Sequence, residues 1–185
     1  MPSVNEKRVL EDLYNLRKIG TYKTGVHRPT LTEDDMRARR WLKDELSKIG
    51  HDAHIDGVAN VIGFSPASGP KLICGSHLET QNHAGWLDGA LGVVYALEAA
   101  RYLQETGAEF GVDVIAFSDE EGHFGELTGS NSLIGNVTED MLDNAVDRTS
   151  GKKLRDALSD NGLSDVPRVI LDADRYVGMF EAHIE

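Results

Sequence analysis

The sequence predicts a layered α/β fold, and three features carry that expectation. Two short apolar runs have the composition of buried strands: Lys71–Cys74, closed by Gly75, and Val112–Phe117, written Val-Asp-Val-Ile-Ala-Phe. Between them lies an Ala/Leu/Val-rich run, from Gly89 to about residue 105, of helical character. Strand, helix and strand alternate in the same order elsewhere along the chain, which is the pattern of helices layered on a sheet.

Taken in order, Val9, Leu10, Leu13 and Leu16, with Tyr14, recur at helical spacing and predict a first helix over Val4–Ile19. Residues 21–31 are polar, carry Gly25 and Pro29, and predict a loop. Thr32 opens a second helix to about Ile49, with Asp35 three residues on as an imperfect capping box. Met36, Leu42, Leu46 and Ile49 form its expected buried stripe, and Gly50 is its stop. Residues 51–56 and 60–64 predict two strands joined at Gly57, and residues 66–70 a turn. Beyond the 112–117 strand, residues 129–134 predict a short helical turn, and 138–147 and 151–161 two capped helices. Tyr176–Ile184 predicts a last strand. No internal repeat and no low-complexity segment interrupts this order.

At 185 residues the chain is long enough for one domain with a real core. Its formal charge of −12 argues against nucleic acid and anionic membranes, which attract basic patches. No apolar run approaches the ~20 residues of a membrane span. The start lacks a basic-then-apolar leader, and the single cysteine, Cys74, suggests a reducing compartment. A cytoplasmic location is the expectation.

The chemistry gathers at strand ends. His77 and Glu79 follow the 71–75 strand, Asp88 precedes the long helix, Glu120-Glu121 follow the 112–117 strand, and His183 lies in the last predicted strand. Open α/β sheets place ligands at such edges. His77, Asp88, Glu121 and His183 are candidate ligands for Zn²⁺, and nearly as well for Mn²⁺ or Co²⁺, because imidazole and carboxylate suit all three. A bridging carboxylate lets two ions act together in hydrolysis. Of the adjacent acids, one can bind metal while the other takes a proton, provided the loop bends; Gly122 permits the bend. Singly, each residue has an ordinary explanation: Asp88 as an N-cap, His77 as a loop histidine, Glu120-Glu121 as a solvated acidic turn, His183 as a half-buried histidine. His27, His51 and His54 are expected in loops or on the surface, and Cys74 as a small buried hydrophobe. No Gly-x-Ser-x-Gly, His-Glu-x-x-His, Gly-x-Gly-x-x-Gly or phosphate-loop motif occurs.

In combination, His77-Leu78-Glu79, Asp88-Gly89-Ala90-Leu91-Gly92, Glu120-Glu121-Gly122, Gly129-Ser130 and Glu181-Ala182-His183-Ile184-Glu185 fall in the order of the M20-type metallohydrolases. The chain most resembles their carbamoylase/allantoate amidohydrolase branch, which includes N-carbamoyl-L-amino-acid hydrolases and β-ureidopropionases. That resemblance implies a three-layer α/β/α catalytic domain of the dinuclear zinc peptidase type and two divalent ions (Zn, or Mn, Co or Ni). It implies His77 and His183 on one ion, Asp88 bridging, Glu121 on the second, and Glu120 as general acid/base. The implied reaction is hydrolysis of a linear amide or ureido C–N bond through a metal-bound hydroxide. Glu79 stands where the family usually has Asp, as an outer-shell partner orienting the first histidine. His83 and His123 flank these motifs and are candidate substrate contacts. Family members continue into a lid domain and a last metal histidine; residues 1–185 are expected to form the N-terminal part of a catalytic domain, without them. Homo-oligomerisation or association with a complementary chain is the corresponding expectation, because an edge strand and an apolar face are left open. Two alternatives remain: a non-catalytic half that binds a partner, and an aminopeptidase or deacylase of the same superfamily.

Overall fold

A computed structural model describes residues 3–184. Its elements, in chain order, are α1 (Glu6–Arg17), β1 (Thr21–Tyr22), β2 (Gly25–Val26), α2 (Glu33–Lys48), β3 (Asp52–Ile55), β4 (Val61–Phe64) and β5 (Lys71–His77). Then follow α3 (Ala90–Thr106), β6 (Gly111–Phe117), α4 (Thr128–Leu133), α5 (Glu139–Asn144), α6 (Leu154–Asp160) and β7 (Tyr176–Phe180). Every predicted helix and strand has a counterpart, most of them shortened at the ends. The polar 21–31 loop contains the small β1–β2 hairpin, and Tyr176–Ile184 is strand only to Phe180. Glu185, the last residue of the motifs above, lies outside the described residues.

Side-chain alternation in β6 sets the layers. Val112, Val114 and Ala116 join Leu13, Leu16, Ala38, Leu42, Leu46, Val93 and Leu97, so α1, α2 and α3 cover one face. Ile115 and Phe117 point the other way, onto Ile62, Ile73 and Leu133 of α4. A separate cluster joins the start of α2 to α5 and α6 through Met36, Leu142, Leu154 and Leu158. Two predicted stripe residues do not reach the core: Leu10 and Tyr14 are about half exposed, because α1 buries only the Leu13–Leu16 face against α3. His51, expected on the surface, is buried, with Nε2 against the Val112 carbonyl at 2.9 Å.

The five-stranded sheet has the order β3-β4-β6-β5-β7. β4 runs antiparallel to both its neighbours, β3 and β6, whereas β5 runs parallel to both β6 and β7. Their carboxyl ends therefore open on one rim, where α/β sheets collect their chemistry. Register does the fine placement. His77 pairs with Phe117, so the turn beginning at Ser118 leaves the sheet level with His77. Cys74 pairs with Phe180, and counting on from that pair brings His183 opposite His77.

Candidate metal centre

His77 is the hub of the rim. Its side chain is wholly buried, and Nδ1 lies 2.9 Å from the Glu79 carbonyl. A carbonyl only accepts, so Nδ1 carries the proton and Nε2 is left as a lone pair aimed outward. His183 Nε2 lies 3.1 Å away, and Asp88 Oδ1 is 3.7 Å from His77 Nε2 and 3.5 Å from His183 Nε2.

Glycines make this approach possible. Gly89 has φ +63°, and a Cβ there would sit 2.5 Å from the His77 ring. A Cβ on Gly92 would come within 2.2 Å of the Ala182 carbonyl. The Asp88-Gly89-Ala90-Leu91-Gly92 motif thus does steric work: one glycine clears His77, the other lets the chain carrying His183 pass over the start of α3.

A metal fits these donors. Ligands at zinc distances of about 2.0–2.1 Å span tetrahedral edges of roughly 3.3 Å, close to the three separations found. Asp88 Oδ1 is buried and has no hydrogen-bond partner among the described residues, an uncommon state for a carboxylate oxygen unless it coordinates something. His77, Asp88 and His183 offer donor atoms within 4.8 Å of one another.

A second group on the same rim contains His77, Glu120 and Glu121, again within 4.8 Å. Glu120 Oε2 is 3.3 Å from His77 Nε2. The bend that turns both acids inward comes from Gly122, at φ +65°, and also from Asp119, at φ +57°. Asp119 is stapled by its own carboxylate, which accepts from the Phe124 and Gly125 amides and the Thr128 hydroxyl. Burial pushes the Glu120 carboxyl above the usual carboxylate range; His77 pulls it back, while Glu121 and Glu79 add to the rise. At His77 burial opposes protonation, but Glu79 and Glu120 outweigh it and raise the imidazole above its ordinary value.

The sequence-predicted residues therefore converge, in two groups that share His77. Asp88 groups with His183 and not with Glu121. The reason is local: Glu121 accepts from the Gln81 amide at 3.2 Å and the Gln81 side-chain amide at 2.6 Å, which draw it aside. Glu79 meets the His77 ring through its backbone carbonyl. Its carboxylate, one methylene longer than Asp, reaches past the ring to Arg39 at 2.5 Å and to the Glu120 amide at 2.6 Å. Burial disfavours that carboxylate, yet Arg39, and then His77, hold it below its ordinary value. His83 stacks between Tyr22 and His27, with centroids 4.0 and 4.5 Å away. His123 turns inward, 1% exposed, with Nε2 on the Thr80 carbonyl. Arg39 and Gln81 escaped the sequence reading. Arg39 is an arginine inside an apolar helical stripe, and only its i+4 spacing from Asp35 hinted at a buried pair.

Residues 49–148 match the model of Peptidase family M28. The chain is 28% identical over 191 residues to an N-carbamoyl-L-amino acid amidohydrolase of Geobacillus stearothermophilus, covering 98% of this chain and 46% of that protein. It is 31% identical over 186 residues to an allantoate deiminase of Arabidopsis thaliana, covering 94% and 35% respectively. A crystal structure of a hydantoinase/carbamoylase family amidase from Burkholderia phymatum superposes with a TM-score of 0.95 at 46% identity, over 100% of this chain and 46% of that one. The chain spans less than half the length of these relatives. The motifs resemble M20-type enzymes and the matching model bears the M28 description, while the relatives' names are those of the branch the motifs imply. On the match across more than half of its residues, the chain belongs to peptidase family M28, and it is similar to proteins named N-carbamoyl-L-amino acid amidohydrolase and allantoate deiminase.

Proposed function

We propose that this chain contributes the metal-holding rim of an amidohydrolase that cleaves a linear amide or ureido C–N bond, as in an N-carbamoyl amino acid or an allantoate-like compound. One observation carries the reading: three donor atoms of His77, Asp88 and His183 converge beside Glu120, the buried Asp88 Oδ1 having no hydrogen-bond partner among the described residues. His77, Asp88 and His183 would hold one divalent ion, and Glu121 would serve a second. Ions held there supply Lewis acidity and acidify water. Glu120, a base strengthened by burial, takes the proton of the attacking water and returns it to the departing nitrogen. Glu79 keeps the His77 ring in one tautomer while this happens. In this reading residues 1–185 are the N-terminal part of a metallohydrolase catalytic domain, acting in the cytoplasm on a small molecule.

The test combines metal content and turnover. Chain loaded with Zn²⁺ or Mn²⁺ should retain ion after dialysis, and hydrolysis of an N-carbamoyl amino acid should depend on it. Glu120→Gln should keep its metal and lose activity by a factor of about 10²–10⁴; near-normal turnover refutes the role. Asp88→Asn should release metal, and unchanged metal content by elemental analysis counts against the centre.

A second reading, a non-catalytic half that binds a partner, is favoured by one surface. Val177, Met179 and Phe180 are exposed on the edge strand β7, Phe180 to 68%. Tight metal binding with turnover by the chain alone sinks it. A clean monomer at high concentration, measured by light scattering, removes its motivation. The peptidase description of the matching family model keeps an aminopeptidase or deacylase in view; parallel assays on aminoacyl and N-acyl substrates separate these from ureido hydrolysis.

A further inference from the structure

Arg39 is, with Arg28, one of two fully buried arginines among the described residues that the proposed chemistry leaves unused. Its side chain is wholly buried, 0% exposed, on the inner face of α2. Nε donates to Asp35 at 2.9 Å and Nη2 to Glu79 at 2.5 Å. Nη1 donates to the carbonyls of Ala59 at 2.8 Å and Phe117 at 3.1 Å, and more distantly to Ala116. Asp35 in turn accepts from the Leu31 amide, which fixes the start of α2.

The placement of these partners matters more than their number. Phe117 is the last residue of β6, and the turn carrying Glu120 and Glu121 leaves from it. Glu79 lies two residues past the end of β5, where its carbonyl holds His77 Nδ1 and its carboxylate accepts the Glu120 amide. One guanidinium therefore grips both strand ends that bring His77 and the acid pair together. A desolvated ion pair is weak evidence for stability alone, since an apolar group of similar volume often does as well. A planar fork with five donors, by contrast, sets distances and angles between its acceptors.

We infer that Arg39 is a positioning residue for the metal centre: acting through Glu79 and the end of β6, it fixes the orientation of the His77 ring and its spacing from Glu120 and Glu121. It touches neither metal nor substrate. The inference rests on the proposed metal centre, and it predicts that loosening Arg39 weakens metal binding without removing any ligand. Lysine at this position keeps the charge but cannot make the forked contacts.

The experiment measures affinity of the full chain for Zn²⁺ by competition with a chromophoric chelator, and the visible absorption of bound Co²⁺, which responds to ligand geometry. Arg101→Lys is the control, because Arg101 is a comparably buried arginine that pairs with Asp12 and Glu45 on the helical layer. Arg39→Lys should weaken Zn²⁺ binding about 10–100-fold, the usual cost of losing an outer-shell partner, and alter the Co²⁺ spectrum. Arg101→Lys should lower the melting temperature and leave affinity and spectrum unchanged. Equal affinity in wild type and Arg39→Lys overturns the inference, as does equal weakening in both variants, which would tie the loss to general stability. If Arg39→Lys fails to fold by circular dichroism, Glu79→Gln, of nearly the same volume without the charge, takes its place with the same two outcomes. Wild-type chain that binds no divalent ion would instead sink the metal centre itself, a distinguishable result.

Discussion

The two histidines of the candidate centre sit in opposite surroundings. His77 ends a central strand, is wholly buried, and has its ring fixed by the Glu79 carbonyl. His183 follows an edge strand; its side chain is 34% exposed, and its hydrogen bond and ion-pair contacts are to His77 and Asp88 themselves. One half of the site is built into the fold before any ligand arrives, and the other is held mainly by the groups it joins. A preformed half supplies geometry, and a half held by its ligands can adjust to them.

That contrast fails if the two halves respond alike to substitution. The largest expected effect is on the built-in half. Arg39→Met strands the buried carboxylates of Asp35 and Glu79 and should cost about 3–5 kcal/mol in urea unfolding; a loss below about 1 kcal/mol would show the network to be incidental. Next comes Gly89→Ala, which drives a methyl into the His77 ring from a left-handed backbone. It should cost about 1–3 kcal/mol and weaken Zn²⁺ binding as well, and normal affinity would mean that the ring has room to move. His77→Ala and His183→Ala should both abolish tight metal binding, yet differ in metal-free stability: about 1–3 kcal/mol for the buried ring against about 0.5 kcal/mol or less for the exposed one. Equal losses would erase the distinction.

The smallest effect concerns pH. Glu79 is held below its ordinary value of 4.5, so its ionised form is favoured by folding. Its contribution is complete above pH 4.5 and is lost as the pH falls through the lower folded-state value. The stability difference between wild type and Glu79→Gln should therefore shrink as the pH falls below about 4.5. A difference that grows below pH 4.5 contradicts the sign of the shift.

Much of the site was legible because its parts are locally encoded. A short apolar run closed by glycine announces β5, and His77 follows directly. Asp88 and its two glycines announce a helix start with room above it. Thr32 and Asp35 signalled a cap, and both side chains do serve one: Thr32 accepts from the Asp35 amide, and Asp35 accepts from the Leu31 amide. Direction is what the sequence leaves open. The extra methylene of Glu79 carries its carboxylate past the His77 ring to Arg39. His123 lies beside the acidic pair in sequence, yet the bend at Asp119 and Gly122 turns it inward to Thr80. The links from Arg39 to Glu79 and from Gln81 to Glu121 each span 40 positions, so beyond the i+4 spacing of Asp35 and Arg39 the sequence carried no signal for them.

The sequence by itself determined the order of elements, the residue types at each strand end, and the glycines that permit close approach, because strand and helix periodicities and backbone freedom are local properties. Only the tertiary structure decided which donor atoms face one another. The parallel pairing of β5 with β6 and β7 brings residues 77, 120 and 183 to one rim, and a buried arginine on α2 decides which acid pairs with a cation and which stays open. Pairing register and buried charge partners join distant parts of the chain, and no spacing along it encodes them.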